Sequence, residues 1–241
     1  MVFVYRLFMQ FIHREADQRG IAEHDWLHAK FTFSFGNYYN PEYCGFQSLQ
    51  VMNNDIIEPE GGFPMHPHKN AEIFTYVMAG ELEHEDSTGN GARIKAGDFQ
   101  YMSAGSGIYH SERNPSTEHP TELYQIWMKP NQVGGEPRYS ETHTGELHNQ
   151  VKLLFSGTGR ENSTPIRQNA EFYFGHLKTA REHQLTTSES MPNGWIQLVQ
   201  GSLRVNSLIL KKADGLGILN QSEPIVIQAL EESKFLYFKL S

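Results

Sequence analysis

The stretch GGFPMHPH, residues 61–68, gives the first indication of how this chain folds and what it does. Side chains at positions i and i+2 of an extended strand point to the same face. If this stretch is a β-strand, His66 and His68 therefore project together from one face. The glycines before them are typical of a turn that leads into a strand. The stretch thus predicts a strand with two imidazoles directed at one point.

A second stretch, GIYHSE at residues 107–112, has the same spacing. His110 and Glu112 are two positions apart and are expected to share a face. The sequence between the two stretches has room for roughly four strands and their turns, so a barrel wall can bring them side by side. Three imidazoles and one carboxylate around one point would form a transition-metal site with open coordination positions.

These histidines also have a simpler interpretation, in which they are ordinary surface or core residues. The chain contains 12 histidines, so one His-X-His sequence can arise by chance. We interpret His24 and His28 in this simple way, because no acidic residue or third ligand is spaced to join them. A His-X-His followed by a His-X-Glu, each within a glycine-bounded strand pattern, is the combination that favours a metal site.

The composition limits the classes of protein to which the chain can belong. With 20 basic and 28 acidic residues the net charge is −8, which argues against nucleic acid or an anionic membrane as a direct partner. The single cysteine, Cys44, excludes an internal disulfide framework and suits a reducing cytosol. Residues 1–12 are apolar, are interrupted by Arg6 and are too short to span a bilayer. We predict that they form a strand or a dispensable extension, and we expect a soluble, cytoplasmic monomer.

Alternating hydrophobicity predicts short β-strands along nearly the whole chain, with almost no helical period. Many short strands at near-even spacing are typical of barrels or sandwiches. Residues 129–150 are rich in Pro, Gly, His and Glu and have no sustained apolar period, which predicts a linker. We therefore predict an all-β chain of two small antiparallel β-barrels, with domains at 11–130 and 151–241 joined by a linker at 131–150.

The two predicted barrels resemble one another. In segments 73–82 and 195–203 alike, a strand meets a glycine turn and a new strand begins. An internal duplication is the economical explanation. The second copy has no His-X-His before its strand, and His176 and His183 stand alone. We expect only the N-terminal barrel to hold a metal.

The two histidine stretches resemble the two motifs of the cupin family. The places of the first motif are filled by Gly61 or Gly62, His66, His68, Glu72 and Gly80. The places of the second motif are filled by Gly97, Gly105, His110 and Asn114. Ser103 stands where proline is usual, two extra residues precede His110, and the spacing from Glu72 to Gly80 is one residue longer than usual. These departures look like the pirin subfamily of bicupins.

The likeness to pirins covers nearly everything from about residue 13 onward and is closest to the bacterial pirin-like proteins. It is carried by segments 31–39, 66–69, 102–112 and 123–127. The resemblance implies a bicupin with two jelly-roll-like barrels. In this fold the C-terminal barrel is a degenerate copy without a metal site.

The resemblance also implies one divalent metal ion, held by His66, His68, His110 and Glu112. Iron is the metal expected first, and nickel, cobalt, manganese, copper or zinc would suit the same ligands. Glu72 is expected to share the face of these residues. We predict a structural role for Glu72, with ligation as the alternative.

The activity implied by the resemblance is that of a quercetin 2,3-dioxygenase, in which a flavonol and O2 give a depside and carbon monoxide. A small polyphenol and O2 are then the substrates. Glu112, at the mouth of the site, is the expected general base for the flavonol hydroxyl group. A flat polyphenol also requires an apolar slot lined by aromatic residues.

Two other functions stay open on the sequence. One is a metal-containing redox sensor or regulatory protein that acts through a protein partner, as the resemblance to eukaryotic relatives implies. The other is a sugar or organic-acid isomerase on a cupin scaffold, which would want a lysine or a second carboxylate facing the metal. A serine hydrolase is disfavoured because no Gly-X-Ser-X-Gly elbow is present, and the sequence has no phosphate-binding loop or dinucleotide fingerprint.

Overall fold

The computed structural model describes residues 9–145 and 147–241. Within this part of the chain, β-strands are joined by turns, and two short 3-10 helices lie at Ala16–Gln18 and Arg160–Asn162. The strands are β1 Gln10–Arg14, β2 Gly20–His24, β3 Leu27–Phe31, β4 Leu49–Ile57, β5 Gly62–His68, β6 Glu72–Ala79, β7 Glu81–Asp86, β8 Gly91–Lys95, β9 Asp98–Ser103, β10 Ile108–Arg113, β11 Thr121–Met128 and β12 Arg138–His143. They continue as β13 Gln150–Ser156, β14 Thr164–Pro165, β15 Ala170–Leu177, β16 Glu182–Leu185, β17 Asn193–Gln200, β18 Ser202–Val205, β19 Leu208–Lys211, β20 Gly215–Leu219, β21 Ile225–Ala229 and β22 Ser233–Leu240. No helix among the described residues is suited to cross a membrane.

The chain divides into two compact units. The N-terminal unit consists of Arg19–Glu146 and Thr164–Gln168, and the C-terminal unit consists of Leu147–Ser163, Asn169–Ser241 and the described residues up to Gln18. Each unit contains one large and one four-stranded antiparallel sheet. The predicted all-β fold of two small barrels is confirmed.

The two units use the same strand order. The large sheet of the N-terminal unit runs β12-β9-β6-β11-β4-β3-β2, and that of the C-terminal unit runs β1-β20-β17-β22-β15-β13. The small sheets run β5-β10-β7-β8 and β16-β21-β18-β19. Reading these orders side by side matches β5 with β16 and β10 with β21. This correspondence is what a duplicated barrel would produce.

The division of the chain differs from the sequence expectation at two places. β1 pairs with β20, so the first described strand belongs to the C-terminal unit rather than to a domain at 11–130. The expected linker at 131–150 contains β12, which pairs with β9 in the N-terminal unit. β12 is an edge strand whose side chains are exposed or half-buried, and its polar sequence therefore gave no apolar period.

The interiors of the two units differ in composition. The C-terminal unit contains a large cluster of buried, mainly aliphatic side chains from both of its sheets. The N-terminal unit has a smaller apolar cluster around Ile57, Val77 and Leu123, and a second one around Ile73 and Met102. Its interior also contains buried histidines, carboxylates and amides, such as His84, His110 and Glu112.

Candidate metal centre

Three of the predicted ligands meet where β5 lies beside β10. These strands are antiparallel neighbours, and His110 is paired directly with His66. The ring centroids are 4.4 Å apart for His66 and His110, 4.8 Å for His66 and His68, and 4.9 Å for His68 and His110. One ring nitrogen from each of the three lies within 4.8 Å of those of the other two. The strand parity read from the sequence thus brings the imidazoles together.

The close approach of β5 to β10 depends on Gly62. A Cβ atom at Gly62 would lie 2.4 Å from the carbonyl oxygen of Glu112 and 2.7 Å from the Cα atom of Arg113. Such distances would force the two backbones apart. The register between the strands also slips between His110 and Glu112, which is a β-bulge and redirects the side chains around it.

The fourth predicted ligand, Glu112, is buried and held by three donors from the large sheet. Thr75 Oγ1 and Gln100 Nε2 donate to its Oε1 atom at 3.2 and 3.1 Å, and Gln125 Nε2 donates to Oε2 at 2.7 Å. The three donors form a row, since Thr75 is paired with Gln100 on one side and with Gln125 on the other. Burial raises the pKa of Glu112, and the neighbouring charge of His84 and these hydrogen bonds offset part of that rise.

His68 and His110 are held in the neutral form that binds metals. Burial, assisted by the neighbouring imidazoles, lowers the pKa of His68 to about 4 and that of His110 to about 3. His66 Nδ1 is 2.8 Å from the carbonyl oxygen of Pro64, and donation of a proton to it leaves the Nε2 lone pair free. Both ring nitrogens of His110 are buried without a hydrogen-bond partner among the described residues. A cation would satisfy such an orphaned lone pair, so these residues fit a transition metal.

The sequence did not single out His84, which belongs to this site. His84 lies on β7 opposite Glu112, is completely buried, and stacks on Tyr139 with ring centroids 4.8 Å apart. Its ring, His110 and Glu112 form a second group whose ligand atoms lie within 4.8 Å of one another. The signal was present, because His84 and Asp86 have the same i, i+2 spacing as the recognised pairs.

Glu72 does not face the histidines, so the expected parity was wrong. Tyr101 and Ser103 donate to its carboxylate at 2.5 Å each, and the backbone N–H of Arg167 donates at 2.9 Å. Thr75, three positions along β6, points to the other face of the sheet, where Glu112 lies. Glu72 therefore has a structural role, and Ser103 serves as its donor at the position where cupins usually have proline.

All four predicted ligands line one cavity of about 210 Å³. Its other walls are aromatic or polar side chains and one isoleucine, which are Phe35, Asn53, Asp55, Phe63, Ile73, Gln125 and Trp127. Asp55 is a second buried carboxylate here, and burial together with the charge of Glu112 raises its pKa to about 7. No sequence motif points to Asp55, because its place on the inner face follows only from the register of β4.

Comparisons with known proteins show which proteins this chain is similar to. A family model described as Pirin matches residues 13–128, and one described as Quercetinase C-terminal cupin domain matches residues 153–240. The chain is 42% identical to a quercetin 2,3-dioxygenase of Escherichia coli (strain K12) over 94% of this chain and 97% of that protein. It is 38% identical to a pirin-like protein of Caulobacter vibrioides over 91% and 95% of the two chains. The crystal structure of the bacterial pirin YhhW from Escherichia coli in complex with nickel(II) superposes with a TM-score of 0.91 at 40% identity, covering 96% of this chain and 99% of that one.

Proposed function

The chain belongs to the pirin family, and on that premise we propose that it is an oxidoreductase of the quercetin 2,3-dioxygenase type. The proposed reaction cleaves a flavonol such as quercetin with O2 and releases carbon monoxide. The names of the relatives support this assignment. The cavity supports it as well, because a planar aromatic ligand matches walls such as Phe35, Phe63 and Trp127.

We assign His66, His68, His110 and Glu112 as the residues that hold one divalent transition-metal ion. Three neutral imidazoles and a carboxylate form a donor set that first-row metals accept. The observation that carries this proposal is the convergence of the three imidazoles, with the buried nitrogens of His110 lacking any partner among the described residues. When bound, such an ion supplies a Lewis acid for the 3-hydroxyl oxygen of the substrate.

Glu112 is the proposed general base. Its burial raises its pKa, which makes the carboxylate a better acceptor for the substrate hydroxyl proton. Gln125, Thr75 and Gln100 fix the carboxylate by the hydrogen bonds described above. A proton taken up at Oε2 would replace the hydrogen bond from Gln125 or share that oxygen with it. The buried surroundings limit water, which would compete for the same proton.

The test is oxygen uptake and carbon monoxide release with quercetin. Protein would be reconstituted separately with Fe(II), Ni(II), Co(II) and Cu(II), and His66→Ala would serve as the blank. His183→Ala is the matched control, because His183 lies on β16, the strand of the C-terminal unit that corresponds to β5. We expect turnover with at least one metal in the wild type and the control, and none in His66→Ala. If no form shown to contain metal consumes oxygen or releases carbon monoxide, the proposal is overturned.

A second candidate is a metal-dependent regulatory protein that acts through a protein partner. It is favoured by two exposed apolar side chains on the ligand-bearing strands, Met65 at 52% and Tyr109 at 54% exposure. Each is adjacent to a histidine in sequence and so points to the opposite face of its strand. Binding of a partner that changes with metal oxidation state, combined with silence in the assay above, would put this function first.

A further inference from the structure

The metal cavity is too small for the substrate that the proposed function requires. At about 210 Å³ it falls below the roughly 300 Å³ at which sites for drug-sized ligands begin. A second cavity of about 420 Å³ adjoins it in the same unit. The two share four lining residues, which are Phe35, Asn53, Asp55 and Phe63. Together they provide the room that the metal cavity lacks alone.

The remaining walls of the second cavity suit an aromatic ring. Leu27, Ala29 and Phe31 of β3 line one side, and Tyr38 lines another. These side chains are apolar or aromatic, and most belong to or pack against the apolar cluster of the unit. A planar ring would be buried here without leaving many polar groups unsatisfied.

Two buried acceptors lie at the junction of the cavities. Asn53 and Asp55 are 2% and 3% exposed, and the Oδ1 atom of each has no hydrogen-bond partner among the described residues. Asp55 lacks a donor from the neighbouring strands because it is paired with Ala29 and Leu123, whose side chains cannot donate a hydrogen bond. Buried acceptors left in this state are costly, and a donor from outside the chain would relieve that cost.

The chemistry of these acceptors restricts the ligand. A carboxylate or phosphate group has only acceptors at neutral pH and cannot donate to these oxygens, whereas a phenolic hydroxyl group can. Asn53 and Asp55 are two positions apart on β4, and such residues are separated by about 6.6 Å along a strand. A ligand that satisfies both acceptors must therefore carry hydroxyl groups at more than one position.

We propose that the second cavity is a subsite for an aromatic ring of a polyhydroxylated flavonoid, and that Asn53 and Asp55 select hydroxylated rings by accepting their hydrogen bonds. This inference rests on the proposed function, since it names the part of the substrate that reaches beyond the metal. It assigns both residues to specificity rather than to the bond-breaking step.

The experiment compares two flavonols that share the 3-hydroxyl group and differ elsewhere, quercetin and 3-hydroxyflavone. Their affinities would be measured anaerobically by fluorescence titration for the metal-loaded wild type, Asp55→Leu and Asn53→Leu, so that no turnover is needed. The matched control is Asn54→Ala, on the same strand, whose side chain instead donates to Glu122 and to the Leu123 carbonyl oxygen. Thermal unfolding of each variant would verify that it folds, and Asp55→Ala or Asn53→Ala would replace a leucine variant that does not.

We expect Asp55→Leu to weaken quercetin binding about tenfold, the range for the loss of one hydrogen bond. Asn53→Leu should weaken it about tenfold, and neither variant should change 3-hydroxyflavone binding more than about twofold. Equal losses for both flavonols, or no loss for either, would overturn the subsite. This result would also show that the acceptors bind only an internal water. Failure of the wild type to bind either flavonol would overturn the subsite as well.

The two proposals fail in different ways. Suppose that the wild type consumes O2 with quercetin and that Asp55→Leu still binds quercetin more tightly than 3-hydroxyflavone to the same degree. This result would overturn the subsite and leave the dioxygenase. Selective binding that depends on Asp55, without oxygen consumption under any metal, would overturn the dioxygenase and leave the subsite.

Discussion

The small sheets of the two units have the same strand order and opposite interiors. In the N-terminal unit, β5 and β10 direct His66, His68, His110 and Glu112 inward. In the corresponding strands β16 and β21, the buried positions are occupied by Leu185, Ile225, Ile227 and Ala229. The same backbone plan therefore serves as a hydrocarbon core in one unit and as a candidate metal centre in the other. The alternation of buried positions specifies the barrel, and the identity of a few of them specifies the chemistry.

The buried carboxylates of the two units also differ in the charge of their hydrogen-bond partners. Glu171 of the C-terminal unit receives hydrogen bonds from Arg160 Nε at 2.6 Å and Tyr173 at 2.5 Å, and Lys239 lies 3.4 Å away. Burial alone would raise the pKa of Glu171, but these partners outweigh it and lower the pKa to about 2. Glu112 receives only neutral donors from the large sheet, and its pKa is raised. A charge compensated by cations stabilises a fold, whereas a charge compensated by neutral donors is left available for a ligand.

The largest effect on the difference between the two units is expected from His110→Ala. Both groups of metal-competent side chains include His110, so its removal should lower metal affinity by more than the roughly 10–100-fold expected for loss of a supporting residue. Metal content after dialysis and oxygen uptake would be measured. His183→Ala in the C-terminal unit should retain both. Full metal content in His110→Ala would contradict the assigned centre.

A smaller effect is expected from Gln125→Met, which keeps the size of the side chain and removes its donor. Gln125 holds Oε2 of Glu112 at 2.7 Å, and loss of such support typically costs about 10–100-fold in metal affinity or activity. Metal affinity by competition with a chelator and the pH profile of turnover would be recorded. Because one stabilising hydrogen bond to the carboxylate is lost, the profile should shift to higher pH. An unchanged affinity and profile would show that Gln125 does not position Glu112.

The smallest expected effect concerns the metal-free protein, in which the stability contributions of the two units should depend on pH differently. The pKa of His110 is about 3 in the folded protein, against about 6.5 for an unperturbed histidine. Below pH 6.5 the unfolded chain therefore binds more protons, and stability is lost as the pH falls. At pH 5 this amounts to about 2 kcal/mol for His110 alone. Glu171, with a lowered pKa, contributes stability that is lost only as pH falls from 4.5 towards 2.

Denaturant unfolding at pH 7.5, 6 and 5 would test this difference. The wild type should lose stability over this range, and His110→Ala should lose about 2 kcal/mol less. Glu171→Gln should leave the slope between pH 7.5 and 5 unchanged. A wild-type stability that is flat over this interval would show that the histidines are not held neutral.

The parts of the fold that could be predicted from the sequence are those governed by a period of two. His66 with His68 and His110 with Glu112 follow directly from that period. The stretch at 31–35 alternates aromatic and small polar residues, which the same period predicts to be a strand, yet β3 ends at Phe31. The stretch is an anchored loop after Phe31, in which Phe33 is buried and Phe35 packs against Trp127.

The remaining parts of the site depend on register between distant strands. Thr75, Gln100 and Gln125 form one row only because β6, β9 and β11 are aligned at those residues. Nothing local in the sequence distinguishes them from other polar residues on strands. The predicted orientation of Glu72 was wrong for a related reason. The turn after His68 determines which face of β6 points towards the histidines, and the spacing of residues does not reveal it.

The absence of a side chain at Gly62 has a consequence for how this protein tolerates change. Gly62 offers no donor atom and touches no proposed ligand through a side chain, yet the backbone it approaches is that of Glu112. Every single-nucleotide change that replaces this glycine adds at least a Cβ atom at 2.4 Å from that backbone. Selection should therefore hold Gly62 as firmly as the histidines themselves. In an aligned set of homologues it would be counted among the catalytic residues, although its contribution is only the space that it leaves empty.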